Sequence, residues 1–142
     1  MLLEELRSPT GKVYLQISHP DGADWLHVDW LGYPTAANVA AGGVAYLQVL
    51  QQQGLHGVLN DNRHLVGRWD SSLEWLRDVW LPKALGHGLR YFAYLSSPGV
   101  MAAGSAAAMQ EQLGDQLDIS IFTDYEEAVK WLHRLGAKHA QG

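Results

Sequence analysis

Hydrophobic and other residues alternate with a period of two along the first third of the chain. Such alternation is typical of strands with one buried face. The apolar members of two such runs are Val13, Leu15 and Ile17, then Leu26, Val28 and Trp30. The turn residues Pro20-Asp21-Gly22 lie between the runs and predict an antiparallel hairpin. We expect Leu2–Leu6 to add a short edge strand.

From Thr35 the hydrophobic period lengthens to that of a helix, and glutamines lie largely on the opposite side. The apolar positions are Val39, Tyr46, Leu47 and Leu50, with Gly43 among them. Pro34 and Thr35 supply a helix start, and Gly54 supplies a stop. Gly42-Gly43 costs about 1 kcal/mol per glycine relative to alanine. We therefore expect this helix to approach the sheet closely there.

Strands and helices then alternate to the end of the chain. The predicted elements are strand Leu55–Asn60, a helix from about Ser72 to Leu85, strand Tyr91–Ser96, helix Val100–Leu113, strand Ile119–Phe122 and helix Asp124–Leu135. The buried side of the helix from Ser72 is expected to hold Leu73, Leu76, Val79 and Trp80. Pro82 is expected to kink or break that helix near Leu81, and Gly136 to end the last helix.

This order, a hairpin followed by α-β-α-β-α-β-α, predicts the α/β fold class with a mixed sheet. Strands separated by helices should be parallel and joined by right-handed crossovers. The length of 142 residues fits a single domain over residues 1–142. A content of 47% hydrophobic and 18% charged residues is typical of a globular protein.

Charge and composition exclude several classes of partner. The net charge is −5 and there is no basic run, so the electrostatic footprint of a nucleic-acid binder is missing. The chain has no cysteine, which excludes disulfides, thiolate metal sites and a cysteine nucleophile. An acidic start and the lack of a long apolar segment predict a cytoplasmic protein without a transmembrane segment.

Four polar residues stand at the end of the strand that we expect to be central: Asn60, Asp61, Asn62 and Arg63. In open α/β sheets, ligands bind outside the carboxyl ends of strands. Asp61 can serve as a base or ligand, Asn62 as a donor, and Arg63 as a fork for a carboxylate or phosphate. The alternative is structural, with Asx turns at the strand end and Arg63 paired with Asp61 or Asp70.

The next helix opens with Asp70-Ser71-Ser72. Ser71 and Glu74 have the spacing of a capping box, which explains both residues without a function. A phosphate on Ser71 or Ser72 would also be favourable at a helix N-terminus. Trp69 and Trp75 are candidate binding residues, since Trp75 lies off the predicted buried face of this helix.

No motif in the chain points to a reaction, a metal or a cofactor. The histidines lack HExxH or another tight metal-ligand spacing. His27 and Asp29 share a strand face, a pairing that is common on solvated sheets. Neither a P-loop, nor a dinucleotide fingerprint, nor a nucleophile elbow is present. The sequence therefore predicts a non-enzymatic protein without catalytic residues.

Four segments together resemble a bacterial family: Gly57–Arg63, Gly67 to Trp69, Trp75 to Lys83, and Tyr125–Leu132, with the strand Arg90–Pro98 between them. They are similar to SpoIIAA-like proteins of the STAS class, which are often grouped with the CRAL-TRIO lipid-binding fold. The resemblance runs from about Gly54 to Leu135. It implies a hairpin-led mixed sheet with helices mainly covering one face.

The resemblance also implies a function. STAS relatives are non-enzymatic regulatory modules that bind a partner protein and are switched by phosphorylation of a serine. Asp70-Ser71-Ser72 stands about where that serine is expected, although Leu73 replaces the usual glycine. The alternative is a CRAL-TRIO-type carrier of a small apolar ligand or lipid, bound between helix and sheet. An exposed tryptophan patch would also suit a homodimer.

Overall fold

The computed structural model describes residues 1–33, 35–66, 73–96 and 100–141, without the side chains of residues 73, 100–106 and 141. Six strands are present: β1 Leu2–Arg7, β2 Val13–Ser18, β3 Trp25–Gly32, β4 Gly57–Leu65, β5 Tyr91–Ser96 and β6 Asp118–Phe122. The helices are α1 Ala36–Gln53, α2 (the consecutive segments Leu73–Trp75, Leu76–Trp80 and Leu81–Gly86), α3 Val100–Leu113 and α4 Tyr125–Gln141.

The six strands form one mixed sheet in which the spatial order follows the chain order. β1, β2 and β3 are antiparallel neighbours, whereas β3, β4, β5 and β6 are parallel. The predicted α/β class, the hairpin and the parallel strands are thus confirmed. Each helical crossover from β3 to β6 leads to the adjacent strand on the same side of the sheet order. If all these crossovers have the same handedness, their helices lie on the same face of the sheet.

The helices divide the core into two parts. α1, α2 and α3 pack on one side of the sheet, which we call the front face, over Leu26, Val28 and Phe92. α4 alone packs on the other side, the back face, where Ala128 and Leu132 contact the cluster that contains Leu59. Within the described parts of the chain, no helix combines the length and the apolar character needed to cross a bilayer.

The ends of α1 follow local sequence signals. Thr35 and Asn38 form a reciprocal capping box, and Gly54 ends the helix at φ 67°. A Cβ atom on Gly42 would lie only 2.5 Å from the Trp30 ring and 2.8 Å from Leu15. The predicted close approach of helix and sheet is therefore confirmed, and it occurs where the helix has no side chain.

Pro82 does not break α2, but the regular α-helical hydrogen bonding is interrupted immediately before it, near the expected position Leu81. Leu76–Trp80 form a π-helical turn, and the Leu81 N–H donates to the carbonyl of Leu76. The extra residue in this wider turn adapts the helix to a proline that cannot donate. The buried side runs through Leu76, Trp80, Leu81 and Ala84. The expectation of a buried Val79 was wrong, since its side chain is 39% exposed.

The last helix also departs from its predicted end. α4 continues through Gly136 to Gln141. A Cβ atom on Gly136 would lie 3.1 Å from the Tyr91 hydroxyl oxygen. Gly136 therefore allows the helix to pass close to β5 and does not stop it.

Candidate functional site

The strand β4 extends past the point where we expected a loop. The sequence predicted a strand end at Asn60, whereas β4 reaches Leu65. Asp29 of β3 pairs with Asp61, but the next pair is Leu31 with His64. Because β4 advances three residues where β3 advances two, β4 contains a bulge at this point.

Alternation along β4 sends the predicted binding residues to opposite faces of the sheet. Asn60 and Asn62 line a pocket on the front face, while Asp61 and Arg63 pair with each other on the back face. Trp75 is half-buried against the front core. The remaining candidates, Trp69, Ser71 and Ser72, lie outside the described residues, as does Asp70.

The bulge directs two consecutive side chains to the back face. Arg63 donates to both oxygens of Asp61, at 2.9 Å from Nε and 2.8 Å from Nη2. His64 Nδ1 lies 3.3 Å from Asp29 Oδ1. The Arg63 backbone N–H donates to Asp61 Oδ1 at 3.1 Å. The Asp61 carboxylate therefore accepts a hydrogen bond from the backbone N–H of the bulged strand and also pairs with the side chain of Arg63.

We call His27, Asp29, Asp61, Arg63 and His64 the carboxylate cluster. Its centre is Asp61, which is fully buried and also lies 2.9 Å from His27 Nε2. Asp29 and Asp61 are direct partners on parallel strands. Such a like-charge pair is unfavourable unless cations compensate it, and here Arg63 and the two histidines surround it.

The two carboxyl groups of the cluster differ in their electrostatics. Burial of Asp61 opposes its ionisation, but hydrogen bonds from His27 and Arg63 hold its pKa well below the usual range. Burial raises the pKa of Asp29, and the charge of Asp61 raises it further, although the bond with His64 opposes this. The ionised form of Asp61 is thus stabilised by its hydrogen bonds, whereas the ionised form of Asp29 is disfavoured.

Three members of the cluster, and its neighbour Tyr125, were not chosen from the sequence as candidate binding residues. The three members are His27, Asp29 and His64. His27 and Asp29 were interpreted as a pair on β3, but each instead pairs with a residue of β4. Tyr125, at the start of α4, lies with its ring 5.3 Å from the Arg63 guanidinium carbon. The period-two pattern of β3 identified its polar face, but the pairing partners depend on the bulge in β4.

The cluster includes a possible set of metal ligands. One ligand atom each from Asp29, Asp61 and His64 lies within 4.8 Å of the others. Both Asp61 oxygens, however, already accept hydrogen bonds from Arg63. An ion would have to displace these bonds. The geometry is that of a compensated ion-pair cluster, and we do not assign a metal to it.

The front face carries a pocket between the sheet and the helices α1, α2 and α3. Its lining residues are Trp30, Val39, Gly43, Tyr46, Asn60, Asn62, Leu65, Leu76, Phe92 and Met109. The cavity volume of the pocket is about 40 Å³, and part of the pocket is open to solvent. Most of the lining is aliphatic or aromatic, as is typical of small-molecule sites.

A chain of hydrogen bonds lies along the sheet side of this pocket. Trp30 Nε1 donates to Asn60 Oδ1 at 2.8 Å, Asn60 Nδ2 donates to Asn62 Oδ1 at 3.0 Å, and Asn62 Nδ2 donates to the Tyr94 hydroxyl at 2.7 Å. We call Asn60 and Asn62 the amide pair. Both are almost fully buried, at 5% and 4% exposure, so their hydrogen bonds determine how they can meet a ligand.

Aromatic rings pack closely where α1 borders the pocket. A Cβ atom on Gly43 would lie 3.0 Å from Trp80 and 3.3 Å from Trp75. The Trp80 indole N–H is buried without a well-formed hydrogen bond, although Tyr46 is its neighbour. Burial raises the pKa of Tyr46 far above its usual value. The Tyr46 hydroxyl, whose residue lines the pocket, is therefore uncharged at physiological pH.

The tryptophans form no exposed patch among the described residues. Trp25, Trp30 and Trp80 are buried, and Trp75 and Trp131 are half-buried. The large exposed apolar side chains in the described part of the chain include Tyr33, Val66 and Tyr125.

No known family model matches this chain, and no curated protein matches its sequence.

Proposed function

We propose that this protein is a non-enzymatic binding module whose front pocket takes a small apolar ligand. The observation that carries the proposal is the pocket itself, which combines an apolar lining with a buried amide pair. Small-molecule sites typically have this composition, with a few polar groups that fix the orientation of the ligand. The pocket also lies between helix and sheet, where a carrier of the CRAL-TRIO type would bind its ligand.

The size of the pocket limits the ligand. The cavity volume is about 40 Å³, whereas an apolar cavity of about 150 Å³ holds a benzene molecule. The pocket therefore suits a small group or one end of a longer molecule. The remainder of a longer ligand would lie in the mouth, where the pocket opens to solvent.

The proposal includes the resemblance to SpoIIAA-like proteins, which implies a hairpin-led mixed sheet with helices mainly covering one face. The order of the strands and the packing of α1, α2 and α3 on the front face support it. We include a cytoplasmic location in the proposal, since a chain without cysteine suits a reducing compartment.

The proposal is tested by filling the pocket. Val39 lines it, and Val39→Phe adds a ring at that wall. We expect the small apolar probe 2-methylpropene, which has four carbons, to shift the Trp30 indole N–H signal in NMR spectra of the wild type. In Val39→Phe we expect its affinity to fall by about tenfold or more, because the added ring excludes it.

The matched control is Val79→Phe, which places the same ring at an exposed position that does not line the pocket. Its affinity for the probe should equal that of the wild type. A wild type that does not bind, or a Val39→Phe variant that binds as well as the control, contradicts the proposal.

A second candidate is a regulatory module that binds a protein partner. Tyr33 and Val66 are 77% and 45% exposed. They are neighbours at the carboxyl end of the sheet, since the Val66 N–H donates to Gly32. Exposed apolar groups of this kind favour docking of a partner or a second copy of the chain. Such binding would be insensitive to Val39→Phe, so the same variant separates the two candidates.

A further inference from the structure

We infer that the pocket selects a neutral ligand with a hydrogen-bond acceptor of the carbonyl class, which the amide pair of Asn60 and Asn62 binds. This inference rests on the proposed function, because it specifies the chemistry of the ligand in the same pocket. Three observations carry it: the direction of the hydrogen-bond chain, the hydrogens that the chain leaves unused, and the lack of charge in the lining.

The direction of the chain follows from Trp30. An indole nitrogen can only donate, so Asn60 must present its oxygen to Trp30. The amide nitrogen of Asn60 is then the atom that meets Asn62, which must offer its own oxygen. The amide nitrogen of Asn62 consequently faces the Tyr94 hydroxyl. One donor therefore determines which way both amides point.

The chain leaves donor capacity in two side chains that line the pocket. A primary amide nitrogen carries two hydrogens, and among the described residues only one from each Asn has an acceptor. Both side chains are more than nine-tenths buried and line the pocket. A buried N–H without an acceptor is unfavourable. A ligand oxygen that accepts from the amide pair would remove this cost.

The lining also specifies the charge of the ligand. None of the described residues that line it is charged, and the ionised groups Asp61 and Arg63 pair on the opposite face of the sheet. A carboxylate or ammonium group would lose its hydration in the pocket without gaining an ionic partner. A carbonyl oxygen accepts a hydrogen bond and has no such charge to desolvate. The aromatic rings of Trp30, Tyr46 and Phe92 would contact its carbon skeleton.

The test compares two probes of nearly the same shape on the wild-type protein. Acetone has an oxygen where 2-methylpropene has a CH₂ group, and the dissociation constants are measured by NMR titration. We expect acetone to bind about tenfold more tightly, the effect of one hydrogen bond to a buried donor. Its binding should also shift the side-chain amide signals of Asn60 and Asn62. Acetate should bind at least about tenfold more weakly than acetone.

The outcomes separate the inference from the proposed function. Equal affinities for the two neutral probes overturn the inference and leave the ligand-binding function standing. Binding of neither probe overturns both. Because these measurements use the unchanged protein, the result does not depend on the folding of a variant.

The double variant Asn60→Leu/Asn62→Leu then assigns the preference to the amide pair. Both residues are changed because either amide alone could still donate to the ligand. The leucines have a similar size and no donors, so the preference for acetone should fall below about twofold while 2-methylpropene still binds. Ser96→Ala is the control, since Ser96 is a buried polar partner of Asn62 on β5 and is not among the described residues that line the pocket. It should keep the wild-type preference. A tenfold preference retained in the double variant contradicts the assignment.

Discussion

The two faces of the sheet at β4 contrast in how their polar groups are satisfied. On the back face, Asp61 accepts hydrogen bonds from Arg63 and pairs with His27. On the front face, Asn60 and Asn62 bond to Trp30, to each other and to Tyr94, yet each amide retains an unused hydrogen. Neighbouring residues of β4 thus take part in a network of charged groups on the back face. On the front face they form a chain of neutral groups that retains unused donors.

This contrast determines where we propose the ligand to bind. The ionised residues Asp61 and Arg63 were candidate binding residues in the sequence, but they pair with each other. The neutral Asn60 and Asn62 adjoin a cavity, and each retains an amide hydrogen without an acceptor among the described residues. We therefore base the proposed site on residual hydrogen-bonding capacity beside a cavity and not on charge.

The largest expected effect comes from Asp61→Asn on the back face. Asp61→Asn removes the buried negative charge that pairs with Arg63 and lies beside His27, which should destabilise the fold by about 2–3 kcal/mol after allowance for solvent screening of Arg63. Urea denaturation at pH 7 measures the change.

Asp29→Asn is the control for this substitution. Because burial and the charge of Asp61 raise the pKa of Asp29, neutralising it should leave the stability unchanged or raise it. Equal losses from the two substitutions would show that the carboxylates are equivalent and would remove the distinction between them.

The pH dependence gives a second, smaller measure. The pKa of Asp61 is lowered in the fold, so its stabilising contribution is full above the ordinary aspartate pKa of about 4 and is lost as the pH falls toward the folded value. The stability difference between wild type and Asp61→Asn should therefore shrink by about 1–2 kcal/mol as the pH falls from about 5 to 2.5. Urea titrations across this range test it. A difference that is the same at every pH would indicate a packing effect of the substitution.

The smallest effect is expected on the front face at Gly42. A Cβ atom there would overlap the Trp30 ring and Leu15, so Gly42→Ala should cost about 1–2 kcal/mol despite the better helix propensity of alanine. Gly86→Ala is the control, because no atom lies within 4 Å of its added Cβ. It should be neutral or stabilising by up to about 1 kcal/mol. Thermal unfolding of both variants checks the difference, and a stabilised Gly42→Ala would contradict the close approach.

The elements that the sequence predicted correctly depend on local signals. The ends of α1 at Thr35 and Gly54 follow from capping chemistry within a few residues. The class of the sheet follows from the alternation of strands with helices. Both require only short-range patterns, which are present in the chain itself.

The features that were missed depend on contacts between distant segments. The bulge in β4 exists only relative to β3, whose register differs by one residue after Asp61. It determines that Arg63 and His64 share a face. The role of Gly136 depends likewise on Tyr91 of β5. For the same reason the sequence could identify Asn60–Arg63 as polar but could not divide these residues between a pocket and an ion-pair cluster.

The order of the sheet has a consequence for how the chain folds. Each strand from β2 to β6 pairs with the strand that precedes it in the chain, so no pairing must wait for a segment that is synthesised much later. Joining consecutive strands closes shorter loops than joining distant ones, and shorter loops cost less entropy to close. The sheet can grow one strand at a time from the N-terminus, and α4 completes the back face last by packing on β4, β5 and β6.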